Sequence, residues 1–261
     1  MGLASCAKRT VTTLVLLLGF VIGIGGAHAS ETLRIGTDPD YPPFSQVTPD
    51  GRYIGFEVEI GNLLCSRMRI RCEWVGLNFA DLIPALLDRR IDAIMGSLAI
   101  TPARRRIVSF TSKYYSTPIR MVGPRGIDET VLDREIPGTG RQPRIGVVAG
   151  TTHADYIDNH LEGRALAVPF PAQKQAEDAL TSGEIDLLLA DALVLWTFLK
   201  DGAGKEFDWV GPPIHGDEGI GIALRPEDRD LRQRFEDALV EILRDGSYAR
   251  INARHFPFNV Y

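Results

Sequence analysis

The chain has 261 residues, 29 basic and 34 acidic side chains, and a net charge of −5. A negative balance of that size argues against nucleic acid as the partner, because no surplus of cations is there to meet phosphates. The length suffices for one large or two small cores, so a two-lobed body is within reach.

The amino terminus reads as an export signal. Lys8 and Arg9 precede an apolar stretch from Val11 to about Gly26, and Ala27-His28-Ala29 supplies the small-residue cleavage site. Cleavage after Ala29 makes residues 1–29 the signal peptide and Ser30 the first mature residue. The mature chain keeps 232 residues, with 27 basic against 34 acidic side chains and a net charge of −7. No later segment approaches the roughly 20 apolar residues of a membrane span, so the mature protein is expected to be soluble and periplasmic. An uncleaved anchor is the other reading of the same stretch. Cys6 lies before the apolar core, badly placed for a lipid anchor. Cys65 and Cys72 remain after processing, an even pair that an oxidising compartment should join into a disulfide. Such a bond staples a helix end to the next strand and, by chain entropy, is worth about 2.5 kcal/mol. Further cysteine or histidine ligands are lacking nearby, so no metal is expected.

Strand and helix patterns then alternate. Thr32 to Thr37 reads as a strand, Asp38 to Phe44 as a rigid loop, Phe56 to about Arg67 as an amphipathic helix, Cys72 to Leu77 as a strand and Phe79 to Arg89 as a helix. The apolar run Ile91 to Leu98 reads as a buried strand that completes a first unit by about Tyr115. Thr101-Pro102-Ala103-Arg104-Arg105-Arg106 follows and looks like the first turn of a helix. Three guanidiniums at the positive end of a helix dipole, beyond the carboxyl end of a strand, call for an anion, and a small carboxylate is the simplest. Arg105 and Arg106 also suit a solvated cationic face.

A second unit follows the loop-rich region from Gly123 to Pro143. It has strands at Arg144 to Ala149, Ala165 to Phe170 and Ile185 to Ala190, and helices at His153 to Leu161, Ala172 to Ser182 and Ala192 to Lys200. The stretch Leu87 to Ala93 is echoed by Thr181 to Leu187, implying two similar lobes. After a strand at Glu218 to Leu224, the helices Glu227 to Arg244 and from Tyr248 have no strand partners and are expected to return over the first lobe. The alternation defines an α/β fold with mostly parallel sheets flanked by helices. Lobe 1 comprises 30–115 and 217–261, and lobe 2 comprises 116–216.

Each lobe offers a strand-to-helix turn for an anion, Ala99 to Arg104 in one and Gly150 to His153 in the other. Asp191 follows the strand Leu187 to Ala190, where its charge suits an ammonium. A carboxylate on arginine and an ammonium on aspartate describe an α-amino acid. Asp191 is equally readable as the cap of the following helix, and Thr151 and Thr152 as caps and nothing more.

These residues resemble a known family. Gly36-Thr37-Asp38 with Tyr41 and Phe44, Gly55 to Glu59, Ile91 to Met95 with Ile100-Thr101 and Arg104, Val147 to Thr152, and Asp191 look like the periplasmic amino-acid-binding proteins of ABC importers. The paired cysteines and Tyr41-Pro42-Pro43-Phe44 look most like the lysine/arginine/ornithine and histidine binders. The resemblance implies two lobes joined by two crossover strands, a cleft closing on one free amino acid without cofactor or chemistry, a monomer, and delivery to a membrane permease. It implies that Arg104, assisted by Thr152, pairs with the ligand carboxylate and Asp191 with its ammonium. Asp38 would meet the far end of a cationic ligand, Tyr41 and Phe79 would flank it, Ser97 would line the site, and Glu57 aligns with another pocket acid. Gly96 and Ala99 stand where basic-amino-acid binders carry serines, which suggests room for a bulkier ligand such as an opine, and the crossover from Gly216 to Gly221 looks short. The runner-up is a secreted cyclohexadienyl dehydratase on the same fold, with His153 or Glu57 as the acid or base. A kinase-linked sensor module is a further fold-sharing class. Gly-x-Ser-x-Gly, His-Glu-x-x-His and phosphate-loop motifs are absent.

Overall fold

A computed structural model describes residues 1–2, 32–133, 136, 140–200, 202–215 and 218–261. The signal segment from residue 3 on, including Ala29, lies outside the described residues, as do Ser30 and positions 216 and 217 of the second crossover. Among the described residues no helix is long and apolar enough to cross a membrane.

The first sheet has the order β5-β1-β6-β13-β7, built from β1 (Thr32–Thr37), β5 (Arg71–Gly76), β6 (Ala93–Ile94), β7 (Ser109–Tyr115) and β13 (Ile220–Leu224). The second has the order β10-β9-β11-β8-β12, from β8 (Ile119–Pro124), β9 (Arg144–Val148), β10 (Leu166–Phe170), β11 (Leu187–Asp191) and β12 (Phe207–Ile214). In both sheets the first three strands pair in parallel, and the fourth pairs antiparallel with both its neighbours. The chain passes from one sheet to the other between β7 and β8 and returns between β12 and β13, so two crossings join the lobes. A small sheet of β2 (Asp40–Tyr41), β3 (Ser45–Val47) and β4 (Tyr53–Ile54) occupies what reads in the sequence as a loop.

Burial explains the layers. In β11, Leu187 and Leu189 pack on one face with Ile145, Val147 and Ile157, while Leu188 and Ala190 pack on the other with Ala176, Leu180 and Leu195. Both faces are covered by helices, as parallel strands require. The covering elements are α3 (Thr152–His160), α4 (Gln173–Ser182) and α5 (Ala192–Lys200). In the first lobe, α1 (Phe56–Met68) buries Phe56, Ile60 and Leu64 against Leu33 and Ile35 of β1. The returning helices α6 (Arg229–Arg244) and α7 (Ser247–His255) complete this core with Phe235, Leu239, Ile242 and Tyr248, the placement that their lack of strand partners implies. Gly55 opens α1 at φ 124°, where a Cβ would lie 2.4 Å from the Phe44 carbonyl oxygen, so glycine is required. At the other end Arg69 is left-handed, and the Cys65–Cys72 disulfide ties α1 to β5 with the Cα atoms 6.1 Å apart.

Three expectations are corrected. The segment after Thr101 is not the start of a long helix but one 3-10 turn, Arg104–Arg106. The helix expected from Phe79 is a 3-10 turn, Phe79–Asp81, followed by the short α2 (Leu82–Leu87). The strand expected over Ile91 to Leu98 pairs only at Ala93–Ile94, because Ser97 turns out of the sheet at φ 54° and its N–H donates to Glu57 instead of a neighbouring strand.

Candidate ligand-binding cleft

A cavity opens between the lobes, beyond the carboxyl ends of β1, β6, β9 and β11, where open α/β sheets place ligands. Asp38, Tyr41, Phe79, Ser97, Ala99, Arg104 and Ile220 line it from the first lobe; Val148, Thr151, Thr152, His153 and Asp191 line it from the second. Of the residues singled out in the sequence, all but Glu57 and Gly96 reach this wall.

Arg104 bridges the lobes. Its guanidinium donates to the Ala99 carbonyl at 3.0 Å and to the Gly150 carbonyl at 3.1 Å, and its Cζ lies 5.5 Å from the centre of the Phe79 ring. A short 3-10 turn has no macrodipole to speak of, and its N–H groups are already taken: Arg105 donates to the Thr101 carbonyl at 2.9 Å, and Ile107 to Arg104. The positive charge here is the side chain's alone. Arg105 pairs with Glu218 at 2.7 Å and Arg106 is exposed, so neither enters the cavity. The opposite turn is a true helix start: Gly150 is left-handed at φ 75°, and α3 begins at Thr152. The Thr151 hydroxyl donates to the Val148 carbonyl at 2.7 Å rather than capping the helix.

Asp191 ends β11 facing the first lobe, 7% exposed. The Tyr41 hydroxyl donates to its Oδ2 at 2.7 Å, and His153 Nε2 stands 3.6 Å from its Oδ1. Burial and the Asp191 charge push the Tyr41 phenol well up, so it stays a donor. Asp38 is 4% exposed and its carboxylate accepts the Asp40 N–H at 3.0 Å. Burial raises it to about 6, with no cationic side chain among the causes of the shift.

Glu57 is corrected from cavity wall to support. It is fully buried in the first turn of α1, where its carboxylate accepts the Ser97 N–H at 3.0 Å and the hydroxyls of Ser97, Tyr114 and Tyr115. Tyr115 also donates to the Ser97 hydroxyl at 2.7 Å. Burial pushes Glu57 up to about 7 in spite of those bonds. It thereby holds Ser97 in the left-handed conformation that brings it to the cavity. Gly96 is corrected too: a Cβ there would meet Leu82 Cδ1 at 3.0 Å and the Asp38 nitrogen at 3.4 Å, so its missing side chain opens no room for ligand. Ala99 does line the cavity, and any extra space lies there. His153 enters the sequence reading as the end of the turn Gly150 to His153 and as a possible acid or base for an enzyme, not as a ligand-binding side chain; Ile220 and the Gly150 carbonyl as a partner of Arg104 carry no signal of their own, being set by the chain path. Among the described residues no group of three or more His, Cys, Asp or Glu is placed to hold a metal ion.

Two α/β lobes joined by two crossings, with opposite charges converging on one interlobe cavity, define a solute-binding protein. Residues 33–258 match the bacterial extracellular solute-binding proteins, family 3, and the chain belongs to that family. It is 39% identical to the L-arginine-binding protein of Pseudomonas aeruginosa over 92% of this chain and 94% of that one. It is 33% identical to the lysine/arginine/ornithine-binding periplasmic protein of Escherichia coli K12 over 97% of this chain and 99% of that one. Among solved structures, a periplasmic His/Glu/Gln/Arg/opine family-binding protein from Silicibacter pomeroyi in complex with lysine superposes with a TM-score of 0.77 at 28% identity, over 88% of this chain and 99% of that one.

Proposed function

We propose that the protein captures an amino acid with a cationic side chain, of the arginine, lysine, ornithine or histidine kind, in the interlobe cleft and delivers it to an ABC permease. The observation that carries this reading is the charge layout of one cavity: Arg104 and Asp191 on opposite sides, with Asp38 buried and without a cation. Arg104 with Thr152 takes the α-carboxylate, Asp191 the α-ammonium and Asp38 the side-chain cation, while Tyr41 and Phe79 flank the stem and Ser97 and Ala99 line the wall. Thr151 shapes the turn that presents Thr152. The names of the curated relatives, an arginine binder and a lysine/arginine/ornithine binder, support the same ligand class. Those relatives are named as binding proteins, which favours capture over dehydration. The lobes that close are 30–115 with 217–261, and 116–216. The mature protein begins at Ser30 and works in the periplasm as a monomer.

Calorimetric titration of the purified protein tests the reading. Arginine, lysine, ornithine or histidine binds more tightly than glutamate or leucine, and Arg104→Ala weakens that binding by about 2 to 5 kcal/mol, since it strips a buried carboxylate of its partner. Preference for an acidic or apolar amino acid, or unchanged affinity in Arg104→Ala, overturns it.

A further inference from the structure

His153 has no role in the assignment above, yet it stands on the cavity wall in the first turn of α3, 4% exposed. Its Nε2 faces Asp191 Oδ1 at 3.6 Å, beyond hydrogen-bond length, so the two groups are adjacent without a made bond. Its Nδ1 is sealed from solvent and has no partner. A buried ring nitrogen left unpaired costs free energy that the fold does not recover, and such groups gather where a ligand completes them. The Asp191 carboxylate is therefore flanked by the Tyr41 hydroxyl on one oxygen and an imidazole on the other.

We propose that His153 is a binding residue for the α-amino end of the ligand, sharing Asp191 with the incoming ammonium, so that capture is linked to the charge on the imidazole. The inference rests on the amino-acid reading through Asp191. A neutral imidazole leaves the full carboxylate charge to the ammonium, whereas an imidazolium cancels that charge and repels the ligand. Histidine is the side chain that changes charge across the physiological range. The other charged or titratable groups around this point are few. Asp191 comes from β11, Tyr41 from β2, Asp38 from the loop after β1, and Arg104 from the 3-10 turn. Beneath α3, β10 carries no titratable side chain, and Arg144 of β9 lies at the far end of its strand, 3.5 Å from Asp186. On α3 itself Asp155 and His160 are exposed.

The test is calorimetric titration of the full mature protein with L-arginine from about pH 8 to about pH 5.5, a range that spans imidazole titration, for the wild type and for His153→Gln. Asp38 titrates in both proteins, so only the difference between their profiles reports on His153. The expected result is that Kd rises more steeply with acid in the wild type, and that the ratio of the two Kd values changes by about threefold or more over the range, because a single charge contact is worth roughly that much. A constant ratio overturns the inference. In the wild type the imidazole nitrogen resonances absent from His153→Gln are also expected to shift on adding arginine; resonances that stay in place overturn it independently of how the variant folds. Failure of the wild type to bind arginine, lysine, ornithine or histidine at any pH overturns the amino-acid reading and this inference together, an outcome distinct from binding with parallel profiles.

Discussion

At the scale of single residues, the site is governed by carboxylates whose burial differs in purpose. Asp38 is poised at about 6 because burial penalises its charge and no protein cation compensates. On the proposed reading a cationic ligand side chain supplies that compensation, so binding should favour the deprotonated form and affinity should fall as pH drops through about 6. Isothermal titration with arginine at pH 7.5 and 5 is expected to show this weakening, reduced in slope in Asp38→Asn, which also loses about 1.5 to 3 kcal/mol of arginine affinity at neutral pH. Glu57 obeys the opposite logic, since it serves the fold. Its folded value, raised to about 7 above an ordinary 4.5, means that the native state holds the proton more tightly than the unfolded chain. Its burial penalty is therefore present in full above pH 7 and is relieved as pH falls toward 4.5, a range worth on the order of 3 kcal/mol. Urea unfolding should find Glu57→Gln flatter over this interval than the wild type; an unchanged slope would remove Glu57 as the cause. Arg104 and Asp191 were legible in the sequence because each follows an apolar strand, and Asp38 only through the family resemblance. Glu57 and Gly96 were misplaced because alignment with family positions does not say that Glu57, in the first turn of α1, turns to Ser97 or that Gly96 is closed off by Leu82.

At the scale of elements, apolar runs made β1, β5, β9 and β11 readable, and the short echo between Leu87 to Ala93 and Thr181 to Leu187 proves structural. In both copies the helix ends on a left-handed residue, Arg89 or Gly183. In both an aspartate then enters the sheet: Asp92 exchanges hydrogen bonds with the backbone of Arg34 at 2.8 and 3.1 Å, and Asp186 with that of Arg144 at 2.9 and 2.8 Å. Besides the small sheet of β2, β3 and β4, the strands that escaped the sequence reading are β7, β8 and β12. β12 carries Gly211, Pro212 and Pro213, which read as a turn but are tolerated in an edge strand with an interrupted register between Val210 and Ile214. β7 is also an edge strand, and its polar residues Ser112 and Lys113 hide its partner-facing pattern. The cysteine pair was readable from spacing and compartment alone. Replacing Cys65 and Cys72 by alanine is expected to cost about 2.5 kcal/mol through the denatured chain, more if the buried Cys65 leaves a void. Scanning calorimetry checks this as a fall of about 5 to 10 °C in Tm.

At the scale of the whole molecule, several of the contacts between the lobes fall at the proposed ligand site. Arg104 reaches the Gly150 carbonyl, Tyr41 reaches Asp191, and Gly150 stands so close to Ala80 that a Cβ would lie 3.3 Å from the Ala80 Cβ. Each lobe has a core of its own, the first completed by α6 and α7 and the second split across its sheet, but Leu193 and Val194 of α5 are buried in the first lobe's core and Trp196 packs edge-on against Phe258. Closure therefore includes apolar contacts of α5 with the first lobe, and a ligand shifts the balance by its differential contacts with the closed form, on the proposed reading those to Arg104, Asp38 and Asp191. A ligand at one hundred times its Kd stabilises the closed form by about 2.7 kcal/mol, which for a chain of this size raises Tm by about 5 to 10 °C. Thermal unfolding with arginine should show that rise, saturating with concentration, while glutamate at the same concentrations leaves Tm in place. Arg104→Ala should lose the arginine response. It removes the proposed carboxylate partner and the bridge to Gly150 together, so its Tm without ligand reports the bridge and its lost shift reports the site. A variant that keeps the full arginine shift would mean that the two lobes close on the ligand by contacts other than this bridge.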